Sequence, residues 1–200
     1  MSNFWDNKYS AVEFVYGKNP NAFFKSVIDP LTPGKILVPG AGEGRDAVYA
    51  ATLGWNVFAF DQSAVGKQKA LTLAREKHVR IHYEVLDALD FDFTKDTFDA
   101  IALIYFHLPP NVRAQFYSRM KNSLTHNGII ILEAFNPKQI NNSSGGPSDK
   151  SMMMTSDLLK KEFAYLQILD CGEHQIDLNE GTGHSGKADV VRFVGKNIEH

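Results

Sequence analysis

Along this chain, short apolar runs stopped by glycine, proline or polar clusters alternate with stretches whose apolar positions recur at helical spacing. Lys35 to Val38 and Asn56 to Phe60 are such runs, rich in β-branched and aromatic residues, and each reads as a buried strand. Val79 to Leu86 alternates Ile81, Tyr83 and Val85 with Arg80, His82 and Glu84, which predicts a strand with one less buried face, near a sheet edge. Phe98 to Phe106 is the most apolar run and is expected at the sheet centre, followed by Gly128 to Phe135. Tyr165 to Asp177 and Ala188 to Lys196 complete seven strands and are expected to form an antiparallel hairpin. Between them, helices are predicted over Asn21–Ile28, Arg45–Leu53, Ser63 to about Lys77 and Ser156–Phe163. A further helix behind the fourth strand carries Val112, Phe116, Met120 and Leu124 at four-residue spacing and ends at Gly128. Strand and helix in alternation predict an α/β fold.

Two stretches escape this pattern. Phe4, Trp5, Tyr9, Phe14, Tyr16, Phe23 and Phe24 crowd the N-terminus among charges without a steady helical period, as in a segment laid over something else. Asn136 to Met154, with its run of Asn, Ser, Gly and Pro, reads as the longest structureless stretch, of the kind that is usually a lid or disordered. Met152 to Met154 either line that lid or fill the core.

The chemistry concentrates where the first strand meets its helix. Gly40, Ala41, Gly42, Glu43 and Gly44 form a glycine loop, Ala47, Val48 and Ala51 share the face of the helix behind it, and Gly54 stands at its C-cap. Asp61 ends the second strand about twenty residues beyond the first glycine, the spacing at which a carboxylate meets a ribose diol. A nucleoside-bearing cofactor is the inference. Arg45 stands at the sixth position of the loop, where the dinucleotide fingerprint needs glycine, so NAD is disfavoured, and no Gly-Lys-Ser/Thr ending makes a phosphate loop.

The stretch VPGAGEGRDAVYAATLGWNVFAFDQS resembles the first two motifs of class I S-adenosylmethionine-dependent methyltransferases, in particular the small bacterial tellurite-resistance and thiopurine type. The resemblance runs from Phe4 to about Lys196. It implies a doubly wound, seven-stranded mixed sheet in the order 3-2-1-4-5-7-6, strand seven antiparallel, a Rossmann-like methyltransferase fold in one domain over 1–200. It also implies S-adenosylmethionine as cofactor, S-adenosylhomocysteine as product, and a small-molecule methyl acceptor. Gly40, Gly42 and Gly44 match the glycines that contact the methionine end of the cofactor, Asp61 the acid on the ribose, and Asp87 in LDALDF the acid on the adenine amino group. Ala41, Arg45, Gln62, Ser63, Ala88 and Tyr105 border these positions and join the expected cofactor set. FWDNKYSAVEFVYGKNP resembles the family's N-terminal segment, which makes 1–30 a flap over the pocket and places Trp5, Tyr9 and Tyr16 on the cofactor. His107, in an HLPP turn, is either a neutral histidine bonded to local backbone or a contact to the acceptor. His184, in a turn resembling the family's EGxxHxG, is either acceptor-side or incidental to a glycine-rich hairpin. The rival classes are a cofactor-binding module without catalysis and an NAD-linked oxidoreductase.

Bulk properties narrow this further. Two hundred residues with 44% hydrophobic content suit one core. A net charge of −2 without a basic block gives no electrostatic footprint for nucleic acid. Cys171 is the single cysteine, which excludes an internal disulfide and a cysteine-based zinc site and fits the cytoplasm. No metal site, secretory signal or membrane span is expected, and the protein is expected to be a monomer or homodimer.

Overall fold

A computed structural model describes residues 2–198. Its single sheet has seven strands: β1 (Lys35–Pro39), β2 (Asn56–Asp61), β3 (His82–Val85), β4 (Phe98–Ile104), β5 (Leu124–Phe135), β6 (Gln167–Glu180) and β7 (His184–Lys196). Their order is β3-β2-β1-β4-β5-β7-β6. Neighbours pair in parallel from β3 through to β5, and β7 runs antiparallel to both β5 and β6. The expected order and the antiparallel seventh strand are both found.

The two-residue period of each strand decides what it touches. On β1, Ile36 and Val38 face one way and pack with Phe24, Ile28, Ala47, Ala50 and Ala70 of the helices α2 (Ala22–Ile28), α3 (Arg45–Thr52) and α4 (Ala64–Glu76). Leu37 faces the other way, into a core with Phe116, Met120 and Leu159 of α5 (Pro110–Met120) and α6 (Ser156–Glu162) and with Phe163 at the C-cap of α6. Both faces of the central strands are therefore covered, which is why β4 is apolar almost throughout.

Four expectations are corrected. Three of the N-terminal aromatics, Phe4, Trp5 and Tyr9, do lie on a helix, α1 (Ser2–Tyr9), and it packs on α4. Its period is hidden because it is anchored by polar contacts as well as by rings: Asp6 Oδ1 accepts from Ser63 Oγ at 2.6 Å and from Val65 N at 3.2 Å. The buried face of α5 is Arg113, Phe116, Tyr117 and Met120, with Val112 only half-buried. The helix ends well before Gly128, because Leu124 already belongs to β5. Residues 136–154 are folded rather than structureless, with short 3-10 turns at Pro137–Asn141 and Lys150–Met152. Buried Gln139 bonds Ser144 Oγ, the Gly145 carbonyl and Asp189 N, while Met153 and Met154 are core.

Candidate active site

The glycine loop leaves β1 at its C-terminal end, and Gly40, Gly42 and Gly44 all take positive φ (62°, 51° and 88°). Only glycine adopts this run without strain. Each lacks room for a side chain as well: a Cβ on Gly40 would lie 2.4 Å from the Phe106 ring, one on Gly42 2.6 Å from the Tyr9 hydroxyl, and one on Gly44 2.4 Å from Ala70 Cβ. Gly44 thus lets α3 settle against α4, and Arg45 beyond it is free to be large. Tyr83 of β3 secures the loop, its buried hydroxyl donating to the Gly42 carbonyl at 2.7 Å.

Asp61 ends β2 beside this loop and is 8% exposed. Its Oδ2 accepts from Gly42 N at 3.1 Å and its Oδ1 from Ser63 N at 2.9 Å. An ionised carboxylate has about four acceptor sites, so two remain. Burial pushes the carboxyl up from its ordinary range despite the two backbone donors, and the nearby Asp6 charge pushes in the same direction. A desolvated carboxylate with spare lone pairs suits a pair of sugar hydroxyls. Next to it, Gln62 Oε1 is buried without a hydrogen-bond partner. Asp87, at the end of the neighbouring strand, is exposed, and Ala88 beneath it is buried.

Tyr9 lies over this cleft. It is 4% exposed, stacks on Trp5 at 5.5 Å and meets Tyr16 edge-on at 6.4 Å. Two residues that the sequence reading passed over fix the strand of chain that follows. Lys69 donates to the carbonyls of Tyr9, Ala11 and Glu13 and pairs with Glu43 at 2.5 Å, and Glu43 Oε2 accepts from Val15 N at 2.8 Å. Glu43 was visible inside GAGEG, but nothing local announced its partner 28 residues away.

Other expected site residues fall into a second, polar cluster at the same edge of the sheet. Arg45 does not line the glycine loop: its Nη2 donates to Glu180 at 2.9 Å and its Nη1 to the Tyr16 carbonyl at 3.0 Å. Tyr105, at φ 50°, donates its hydroxyl to Glu133 at 2.9 Å, and its ring lies 4.5 Å from that of His184. Fully buried Glu133 also accepts from Asn21 Nδ2 and Arg192 Nε, both at 2.6 Å. His107 is spent on backbone: Nδ1 lies 3.0 Å from the Met152 carbonyl and Nε2 accepts from Phe135 N at 3.3 Å. Burial lowers its pKa to about 4, so the ring is neutral and structural in its contacts. Among the described residues no group of side chains could hold a metal ion, and no helix is long and apolar enough to cross a membrane.

Residues 36–128 match the family model described as a methyltransferase domain. No curated protein matches the chain. Among solved structures, one from work on conversion of a disulfide bond into a thioacetal group during echinomycin biosynthesis superposes with a TM-score of 0.81 at 16% identity, over 100% of this chain and 93% of that one. The N-methyltransferase NodS from Bradyrhizobium japonicum, in complex with S-adenosyl-L-homocysteine, gives 0.75 at 12% identity over 99% and 98%. TehB from Haemophilus influenzae gives 0.72 at 16% over 98% of this chain and 66% of that one. At such identities the likeness is one of fold. The stretch 36–128, which takes in the glycine loop and Asp61, is thus similar to a methyltransferase domain set in a methyltransferase-like fold.

Proposed function

We propose that this chain methylates a small-molecule acceptor, a thiol or a selenium or tellurium compound, as its resemblance to the tellurite-resistance and thiopurine type implies. The observation that carries the cofactor assignment is the pairing of a positive-φ glycine loop with the buried, half-satisfied carboxylate of Asp61. In this reading Asp61 receives the ribose hydroxyls, while Gly40, Ala41 and Gly42 abut the methionine end. Asp87 and Ala88 meet the adenine, and Gln62 and Ser63 border it. Residues 1–30 act as the flap, with Trp5, Tyr9 and Tyr16 closing the cleft and keeping water out.

When bound, the sulfonium supplies an electrophilic methyl group and a good leaving group. The protein's work is then to orient the acceptor in line and to exclude solvent. Calorimetric titration with S-adenosylhomocysteine tests the assignment. Asp61→Ala removes a charge-assisted contact of about 1.5–3 kcal/mol, so affinity should fall roughly ten- to a hundredfold; an unchanged dissociation constant refutes the site.

A further inference from the structure

Between the chain segment 16–22 and the strands β6 and β7 lies a cavity of about 350 Å³. Glu133 and Arg192 line it from the sheet, Tyr16 and Pro20 from the segment, and Ile176 and Leu178 from β6. The strand register accounts for this mixture. Arg192 stands opposite Gly172, and from there the two-residue period carries Ile176, Leu178 and Glu180 onto the same face as Arg192. One part of the wall is therefore apolar and the other carries charge.

Nearly all of that charge is already engaged. Glu180 accepts from Asn21 Nδ2 at 3.1 Å on Oε1 and from Arg45 Nη2 at 2.9 Å on Oε2, with His184 Nδ1 3.1 Å from the same oxygen. Glu133 is held by Asn21, Tyr105 and Arg192. Lys18 pairs with Glu76 at 2.8 Å. Asp177 falls on the opposite face of β6 by the same two-residue period.

Arg192 is the exception. Its Nε donates to Glu133 at 2.6 Å, and its Cζ lies 4.9 Å from the centre of the Phe23 ring. Those two contacts hold the guanidinium plane by one edge and one face. The side chain is 24% exposed, and among the described residues Nη1 and Nη2 have no hydrogen-bond partner. Arg45 makes the contrast, with both of its terminal nitrogens donating to protein acceptors. A guanidinium that served only to balance Glu133 would gain most from two parallel bonds, and Arg192 makes one. Its terminal N–H groups are thus held in a fixed orientation at a cavity, with their donors unspent.

We propose that this cavity binds a small organic monocarboxylate, whose two oxygens meet Arg192 Nη1 and Nη2 and whose apolar body lies along Ile176, Leu178 and Pro20. A planar anion with two oxygens matches the guanidinium fork. A single charge matches the electrostatics: among the described residues lining the cavity Arg192 is the one cation with donors to spare, while Glu133 and Glu180 bring negative charge to the wall. A dianion such as a phosphate monoester would meet the repulsion of both carboxylates against the attraction of one fork. The proposal stands apart from the methyltransferase reading, since Arg192, Ile176 and Leu178 lie outside the matched stretch 36–128.

Benzoate and hexanoate serve as probes, titrated into the full chain labelled with ¹⁵N-arginine, while the Nε–Hε resonance of Arg192 is followed and assigned with Arg192→Lys. At least one of the two should shift it saturably. Benzamide, close to benzoate in shape but uncharged, should bind at least about tenfold more weakly than benzoate. Arg192→Lys keeps a cation beside Glu133 but loses the fork, and calorimetric affinity for the carboxylate should fall about tenfold. Ile176→Trp fills the cavity from the apolar wall, leaves the guanidinium in place and should abolish binding; it decides the matter if Arg192→Lys does not fold. No saturable shift with either carboxylate, equal affinity for benzamide, or affinity unchanged in either variant overturns the proposal. Tighter binding of phenyl phosphate than of benzoate overturns it as well.

Discussion

At the scale of single residues, the two histidines weighed from the sequence part company over what their ring nitrogens touch. His107 has both engaged by main chain, and its pKa of about 4 lies below the ordinary 6.5. The sign follows: above pH 6.5 both folded and unfolded chains keep this ring neutral, and its stabilising contribution is whole. As pH falls from 6.5 towards 4 the unfolded chain takes up the proton first, and stability is lost; below about 4 the loss is complete. The ring is half-buried, so about 3 kcal/mol is a ceiling for that loss. Urea titrations at pH 7 and pH 4.5 should show His107→Gln losing less stability on acidification than wild type, by up to about 2–3 kcal/mol. Equal losses would contradict the assignment. The sequence left both histidines open because the deciding partners, Met152 and Phe135 for one and Glu180 for the other, are chosen by the fold. The glycine loop and Asp61 were legible because each is announced by a strand end and a short-range spacing.

At the scale of elements, the junction of α3 with α4 is governed by Gly44. Its φ of 88° and the 2.4 Å approach of a would-be Cβ to Ala70 make any side chain costly twice over, once in the backbone and once in packing. Gly44→Ala should destabilise by about 2–4 kcal/mol in denaturant unfolding; a shift under half a kilocalorie would show that the helices can separate freely. Helix starts were legible where a side chain caps them locally, as Ser63 does for α4 by accepting from Gly66 N at 2.9 Å. The first helix was missed because what orders it is a neighbour far along the chain: Asp6 meets Ser63, 57 residues on. The stretch after β5 was misread for a related reason, since its glycines and asparagines fold through Gln139 and Asp189 and not through any period of their own.

At the scale of the whole molecule, the strand count was readable from apolar runs, whereas the order came from family resemblance, because pairing is set by crossovers that no local pattern records. Glu133 is where the segments converge. It joins Asn21 from before α2, Tyr105 after β4 and Arg192 of β7. Glu133→Ala would bury a guanidinium and two polar groups without their partner and should lower the unfolding free energy by about 3–5 kcal/mol, read from the denaturation midpoint; a change under 1 kcal/mol would mean that water enters to replace it.

Arg45 and Glu180 are separated by 135 residues, and Asn21 and Glu180 by 159. During translation, therefore, the glycine loop and Asp61 emerge from the ribosome long before the hairpin that supplies Glu180 and His184. The nascent chain holds Arg45 and Asn21 without Glu180 until the hairpin arrives. Closing so large a loop is slow, and it is the arrival of this hairpin that completes the polar cluster.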